Sequence, residues 1–465
     1  MIQRMAAAEW FPKKASAAHL IGLAAGRISA ENEQAELRKI MMSLSSDDTT
    51  IVRKAVLNNL SKLIKSTGHN MCALTDEMHP LLTKLTSDPQ DAVRLLSVAP
   101  LIALGESVKE SSELTINLVH PLFMALANDR SWRIRYMLAK QFAQIILVLQ
   151  KDKPEMNPVK SFAALLKDAE PEVRSAAAAE LVHVARVISP EEVRQSLVPC
   201  LPMIITDPSA HVKASLAACL NDLAPVVGPN TTIEHVLPLI IKLLSDEASE
   251  VRLNIVTNFE KTVQVIGIDL LSDVLLPAIS RLSQDPQWRV RETIITLMPS
   301  LAKLLGHTRY DAKLSEMGLS WLDDQVFEVR KSAATCHAML IKGFGTQWAL
   351  DSGLIDKLLQ LATHTNYLRR QISLFLLSDL LTQVSVDYVT IGFLLPIMEG
   401  LRNDPVANVR IALAKTIQNI TPVLVGDRPD ILRDTCLPVL QQLAIDSDTD
   451  VQFFAQQALS IVPAL

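Results

Sequence analysis

The sequence predicts an all-α chain, an α-α superhelix of about twelve stacked helix pairs. Three observations carry that expectation. One pattern recurs along almost the whole length, plain in DPQWRVR at 285–291: an Asp, a short turn, an aliphatic residue and then an Arg six positions after the Asp. The Arg position is filled at Arg53, Arg94, Arg135, Arg174, Lys213, Arg252, Arg291, Arg330, Arg369 and Arg410, at intervals of 39 residues from Arg135 to Arg369 and 41 elsewhere. The Asp position is filled at 47, 88, 129, 168, 207, 246, 285, 324 and 404, and a further copy pairs Asp446 with Gln452. Strand signals are weak, with no alternating Val/Thr/Tyr runs between Asn-Gly turns. Apolar residues make up 49% of the chain but aromatics only 4%, a composition suited to closely packed helices. A period near 40 residues is the signature of a HEAT or armadillo solenoid. One continuous HEAT-repeat solenoid over 1–465, an elongated arc, is therefore expected rather than several globular domains.

The unit at 229–267 shows the local physics. Pro229, Asn230 and Thr231 offer a turn and a cap. A first helix is expected from Ile233 to Leu244, with Pro238 bending it by removing one backbone bond. Asp246 to Glu250 form the turn. A second helix follows from Glu250 to Val265, and Gly267 ends it in a left-handed conformation. This punctuation recurs: Pro eight residues before the Asp at 80, 121, 199, 238, 277, 396 and 438, and Gly fifteen after the Arg at 68, 228, 267, 306 and 345. The first unit is degenerate, with Glu9-Trp10-Phe11-Pro12-Lys13-Lys14 in the Asp-to-Arg stretch. Later units start near 30, 69, 110, 153, 190, 229, 268, 307, 346, 386 and 427. The Asp is expected to accept amides at the second helix and favour its positive end. The Arg row should meet the Asp of a neighbouring unit in an exposed ladder that sets register more than stability. Two departures stand out: Thr363 in the Asp position of THTNYLRR, so that unit lacks its rung, and DKPEMNPVK at 152–160, read as a longer surface loop.

The formal charge of −5 argues against a general nucleic-acid binder. Five Cys are scattered without metal spacing, which suits a reducing cytosol or nucleus. No apolar run approaches a membrane span, and MIQRMAAAEW does not read as a signal peptide. GLAAG at 22–26 lacks the Lys-Ser/Thr of a phosphate loop, and no HExxH, GxSxG or CxxC occurs. Cys336 and His337 are helix neighbours about 100° apart and read as filler, and His79 and His120 as packing residues. No enzyme, metal or cofactor is expected. Large residues in the turns point elsewhere. Trp132-Arg133, Trp288-Arg289, Phe327 and Tyr367 stand where small polar residues are usual, and Trp, Tyr and Arg dominate protein-interface hot spots. Covering of a neighbouring turn is the alternative for Trp132 and Trp288.

At these residues a family resemblance emerges. DRSWRIRYMLAKQF, SSDDTTIVRKAV, TIEHVLPLIIKLLSDEASEVRLNIV, PQWRVRETIITLMPSLAKLLG and DPVANVRIALAKTIQNI closely resemble the scaffold (A) subunit of the type 2A Ser/Thr protein phosphatase. That resemblance implies a horseshoe of HEAT repeats, lacking here about three N-terminal repeats. It implies a non-catalytic scaffold, cytoplasmic or nuclear, that joins a phosphatase catalytic subunit to a B-type regulatory subunit in a hetero-oligomer through its intra-repeat turns, with no nucleic acid and no membrane. Carried over by position, Trp288, Arg289, Phe327, Asn366, Tyr367, Val406 and Asn408, in a half spanning 268–465, would hold the catalytic subunit. Asp47, Asp48, Arg53, Lys54, Trp132 and Arg133, in the half 1–267, would hold the regulatory subunit. Phe327 stands where that family usually has Tyr, and Thr50 where it often has Pro. The alternative is a nuclear-transport or chromosome-associated HEAT adaptor, whose Trp/Asn arrays at regular helical spacing are lacking here.

Overall fold

A computed structural model describes residues 1–28, 30–68, 70–149, 157–267, 275–383 and 395–462. Helices alone make up its regular structure among these residues. The chain forms two compact units, Met1–Leu243 and Leu244–Leu465. Within each, the repeat template becomes a pair of antiparallel helices per unit, and second helices pack on second helices of the next pair. In the first compact unit Phe11–Ala24 packs on Thr50–Thr67, and Pro171–Val187 on Ala210–Thr231. In the second, Trp288–Leu305 packs on Phe327–Phe344, which packs on Tyr367–Gln383, and that on Ala407–Asp427. The buried side chains are overwhelmingly Leu, Ile, Val and Ala, which lets helices approach closely. Gly22, from the supposed phosphate-loop lookalike, lies inside a helix of this stack. A Cβ there would stand 2.7 Å from Asn59 Cβ, so the residue serves helix contact.

Before five of the seven recurring first-helix Pro residues the expected bend is realised as a π turn, and the residues before Pro277 and Pro396 lie largely outside those described. Leu74–Met78, Thr115–Val119, Val193–Leu197, Thr232–Val236 and Leu432–Cys436 each end two residues before Pro80, Pro121, Pro199, Pro238 and Pro438. The Pro ring clashes with the carbonyl four residues back, and widening the preceding turn relieves that clash without ending the helix. The second helix of 229–267 is not continuous, contrary to expectation. It runs Ser249–Val256, breaks, and resumes as Phe259–Ile266 after Asn258 at φ 62°. Asn tolerates this left-handed conformation better than most residues. The expected loop at 152–160 falls largely outside the described residues. Its end is ordered, with Asn157 Oδ1 accepting from Lys160 N at 3.1 Å to cap Pro158–Leu165. Parts of the unit starts near 69, 153, 268 and 386 also lie outside them.

The helix-ending glycines differ from expectation as well. Gly228, Gly267, Gly306 and Gly345 have φ of 80, 84, 74 and 96° with ψ of 174, 173, 160 and 164°. This is the extended positive-φ region open essentially to Gly alone, not the left-handed helical one. Gly306→Ala should therefore lower stability by about 1–3 kcal/mol through backbone strain. Gly343→Ala should raise it by about 0.5–1 kcal/mol, because Gly343 lies exposed inside Phe327–Phe344 and only loses unfolded-state freedom. A Cβ would meet nothing within 4 Å at either site. Urea midpoints of the two variants moving in the same direction would refute the backbone argument.

Candidate partner-binding ridge

What fixes the turns is the Asp–Arg ladder. Asp285 Oδ1 accepts Gln287 N–H at 2.8 Å, closing the turn so that a helix begins at Trp288. Six residues on, Arg291 folds back and its Nη1 donates to Asp285 O at 2.6 Å. Its Nε and Nη2 then reach Asp324 of the next pair, both at 2.8 Å. The same rung joins Lys14 to Asp47, Arg53 to Asp88, Arg94 to Asp129, Arg135 to Asp168 and Arg174 to Asp207 in the first compact unit. In the second it joins Arg252 to Asp285, Arg370 to Asp404 and Arg410 to Asp446. The ladder was expected to be exposed, yet it is not. Its arginine side chains are 6–17% and its aspartates 3–11% accessible, because the apolar faces of successive pairs close over them.

The rung near 363 also needs correction. The Asp position is taken by His364, not Thr363: His364 Nδ1 accepts Asn366 N–H at 2.9 Å as the Asp oxygens do elsewhere. The ladder residue six positions later is accordingly Arg370 rather than Arg369, with its Nη1 donating to His364 O at 2.8 Å. The run of 39-residue intervals thus ends at Arg330.

Burial pushes the Asp129 carboxyl up, but hydrogen bonds from Arg94 and from Ser131 N–H outweigh it and hold Asp129 below its ordinary value. Asp168 is held down in the same way by Arg135 and Glu170 N–H. For Asp446 the Arg410 bond is the largest cause. A carboxyl whose folded pKa lies below its unfolded one contributes stability that is present above about pH 4 and lost as pH falls through the folded value. The ladder's share of the urea midpoint should hence stay flat from about pH 7 to pH 5 and fall steeply below about pH 4, beneath an earlier decline from about pH 6.5 caused by His337 and His79, whose burial lowers their pKa. A midpoint with no further fall from about pH 4 down to about pH 2.5 would show that the ladder carries no such linkage.

On this frame the turn residues form rows. In the second compact unit, Arg289 Cζ lies 4.7 Å from the centre of the half-buried Trp288 ring. Phe327 is 40% exposed, packed edge-on against Phe375 at 5.7 Å. Tyr367 is 36% exposed. Asn366 is exposed and caps its helix, its Oδ1 accepting Leu368 N–H at 3.0 Å. Val406 is half-buried at the start of Ala407–Asp427, and Asn408 is exposed, its carbonyl accepting from Gln371. These seven residues lie two to four positions after the ladder residues Asp285, Asp324, His364 and Asp404 of successive pairs.

In the first compact unit, Asp47 and Arg53 are ladder members, bound to Lys14 and Asp88. Asp48 is exposed and Lys54 half-buried beside them. Two pairs further along, Arg133 lies 5.7 Å from the Trp132 ring centre and 3.6 Å from Asp91. Trp132 meets Tyr136 edge-on at 6.4 Å. Trp132 and Arg133 form one rim of a groove of about 740 Å³, whose walls include Tyr136, Lys140, Glu172 and Glu180. Sequence reasoning missed Tyr136 and Lys140. They follow Trp132 at four and eight residues, the spacing of one helix face.

No helix among the described residues is long and apolar enough to cross a membrane. Cys336 and His337 are buried, and His337 Nδ1 lies 2.8 Å from Ala333 O. Burial pushes the Cys336 thiol up to about 12.

Residues 158–228 match a PPP2R1A-like HEAT repeat family. The protein phosphatase PP2A regulatory A subunit of Schizosaccharomyces pombe is 36% identical over 149 residues, 32% of this chain and 25% of that protein. The Saccharomyces cerevisiae protein of the same name is 33% identical over 151 residues, 31% of this chain and 24% of that protein. Over these stretches the chain is similar to the HEAT repeats of PP2A regulatory A subunits. The matched stretch spans about a quarter of the length of those curated relatives. Residues 210–305 also match a PIK3R4-like middle domain. Among solved structures, Kap95p aligns over 99% of this chain and 61% of its own, with TM-score 0.70 and 16% identity. Kap121p aligns over 99% and 52%, with TM-score 0.63 and 13% identity. At such identities the likeness is one of fold.

Proposed function

We propose that the chain is a scaffold without catalysis of its own, holding two phosphatase components at fixed positions. On this reading Trp288, Arg289, Phe327, Asn366, Tyr367, Val406 and Asn408 seat the catalytic subunit of a type 2A Ser/Thr phosphatase. Asp47, Asp48, Arg53, Lys54, Trp132 and Arg133 seat a B-type regulatory subunit. The observation that carries the reading is the row of exposed aromatic and amide side chains at equivalent turns, held by a buried ladder. Rigid presentation of that kind lets a surface bind without paying for its own ordering. The relatives' names support the phosphatase as partner. The mechanism is geometric: joining both components raises the concentration of one near the other. The assembly would work in the cytosol or nucleus, which five free cysteines suit.

The test is titration of the purified chain with type 2A catalytic subunit by calorimetry, then of that complex with a B-type subunit. Saturable one-to-one binding in both steps is expected. An adaptor for nuclear transport would instead retain a small GTPase or a cargo peptide and leave the catalytic subunit unbound.

A further inference from the structure

Arg330 departs from its neighbours in the ladder. Its Nη1 donates to Asp324 O at 2.7 Å and Gln325 O at 3.0 Å, so the guanidinium is held in the ladder pose. Arg252, Arg291, Arg370 and Arg410 in that pose each grip an Asp through Nε and Nη2. Arg330 is only 4% exposed, yet its Nε has no hydrogen-bond partner among the described residues. Burial lowers the Arg330 pKa, opposed by Asp324 and aided by Arg369. Arg370, by contrast, is raised by its bond to Asp404.

His364 is the cause. It replaces the Asp locally, accepting Asn366 N–H at Nδ1, but it brings no negative charge. A neutral imidazole that accepts at Nδ1 carries its proton on Nε2. That N–H faces Arg369 Nη1 at 2.7 Å, and a guanidinium also only donates. Arg369 stands where the other units place an aliphatic residue. Its Nε is 3.1 Å from Asp323 Oδ1, and Lys357 binds Oδ2 of the same carboxylate. Asp324 is committed to Arg291. Lys357 and Arg369 therefore both face Asp323, whose buried Oδ1 makes no hydrogen bond, and Arg330 is left with no carboxylate at its Nε, where each intact rung matches one cation to one.

We propose that this rung binds a carboxylate supplied in trans, an Asp or Glu side chain of the protein seated on the ridge. The inference rests on the scaffold reading for which protein that is. The chemical class follows from the guanidinium, which the ladder orients for two parallel bonds to a carboxylate. The source follows from position. Phe327 opens the helix that carries Arg330, whose Cζ lies 5.8 Å from the Phe327 ring centre. Tyr367 opens the helix that carries Arg369. The cationic cluster thus lies between two exposed aromatic side chains of the proposed binding row. Arg330 itself is covered, so an acid would enter past Arg369, 36% accessible, and the half-buried His364 to complete the rung and stitch the partner to two adjacent pairs.

The test uses the full chain with His364→Asp and His364→Asn. Asp restores the acid within the chain, whereas Asn keeps the turn acceptor without charge. His364→Asp should raise Tm by about 2–4 °C and weaken catalytic-subunit binding roughly tenfold, while His364→Asn should bind as the wild type does. Sodium acetate, compared with sodium chloride at equal ionic strength, should raise the Tm of the wild type but not of His364→Asp. Unchanged affinity in His364→Asp overturns the supply in trans while leaving the scaffold reading intact. A wild type that does not bind the catalytic subunit overturns that reading and the in-trans supply together. No acetate response and no Tm gain in His364→Asp overturn the site itself, whichever protein the chain binds.

Discussion

Arg94→Ala is expected to lower unfolding free energy by about 3 kcal/mol, the cost of leaving one partner of a buried pair uncompensated. The Arg94 side chain is 6% and that of Asp129 8% accessible, and Nε and Nη2 meet the two Asp129 oxygens at 2.7 and 2.9 Å. Truncation leaves Asp129 with one remaining partner in the pair's contact zone, Ser131 N–H at 2.8 Å. It also releases the Asp88 carbonyl, which Arg94 Nη1 binds at 2.8 Å. The comparison is Lys65→Ala. Lys65 pairs with Glu106 at 2.8 Å, but the two side chains are 59% and 47% accessible, and an exposed pair contributes about 0–1 kcal/mol. In a solenoid each pair touches only its neighbours, so the loss should be local. Hydrogen exchange should quicken most in 88–129, with smaller changes in distant pairs. Equal urea midpoints for the two variants would mean that the rung only sets register.

That contrast marks where sequence stops informing. The Asp-to-Arg spacing and the Pro and Gly punctuation were legible, and they place nearly every described helix. Ladder partners were legible too, since Arg53 could reach only the Asp of an adjacent unit. Their burial was not, because it depends on how apolar faces of successive pairs close over the turn, a property of packing rather than spacing. The His364 register was lost for a related reason. With no acid at either 363 or 364, periodicity alone favoured Thr363. The decisive sign was local: helices here begin three residues after the ladder acid, as Trp288 does after Asp285, and counting back from Tyr367 gives His364. The break at Asn258 left no mark stronger than an Asn within an apolar run, so tertiary contacts decide it.

For the ridge, residue types were legible and their surroundings were not. Trp288 and Arg289 could be singled out as a large pair in a turn, but the stacking that holds them appears only in three dimensions. A guanidinium on an indole face loses less freedom on binding than a free one, which makes the pair a preformed anchor. On the scaffold reading, Trp288→Ala combined with Arg289→Ala should weaken catalytic-subunit binding roughly thirtyfold or more, since each anchor contributes about 2 kcal/mol and such terms are not additive. Stability should change little. Arg289 is exposed, and Trp288 sits half-buried at the first turn of Trp288–Leu305, clear of the core residues Val290, Ile294 and Met298. Calorimetric titration with the catalytic subunit reads the first quantity and circular dichroism melting the second. Wild-type affinity in the double variant would remove Trp288 and Arg289 from the binding row. A melting temperature lower by many degrees would instead make the indole a cover for its own turn. Loss of affinity at unchanged Tm is the outcome that assigns the pair to the partner.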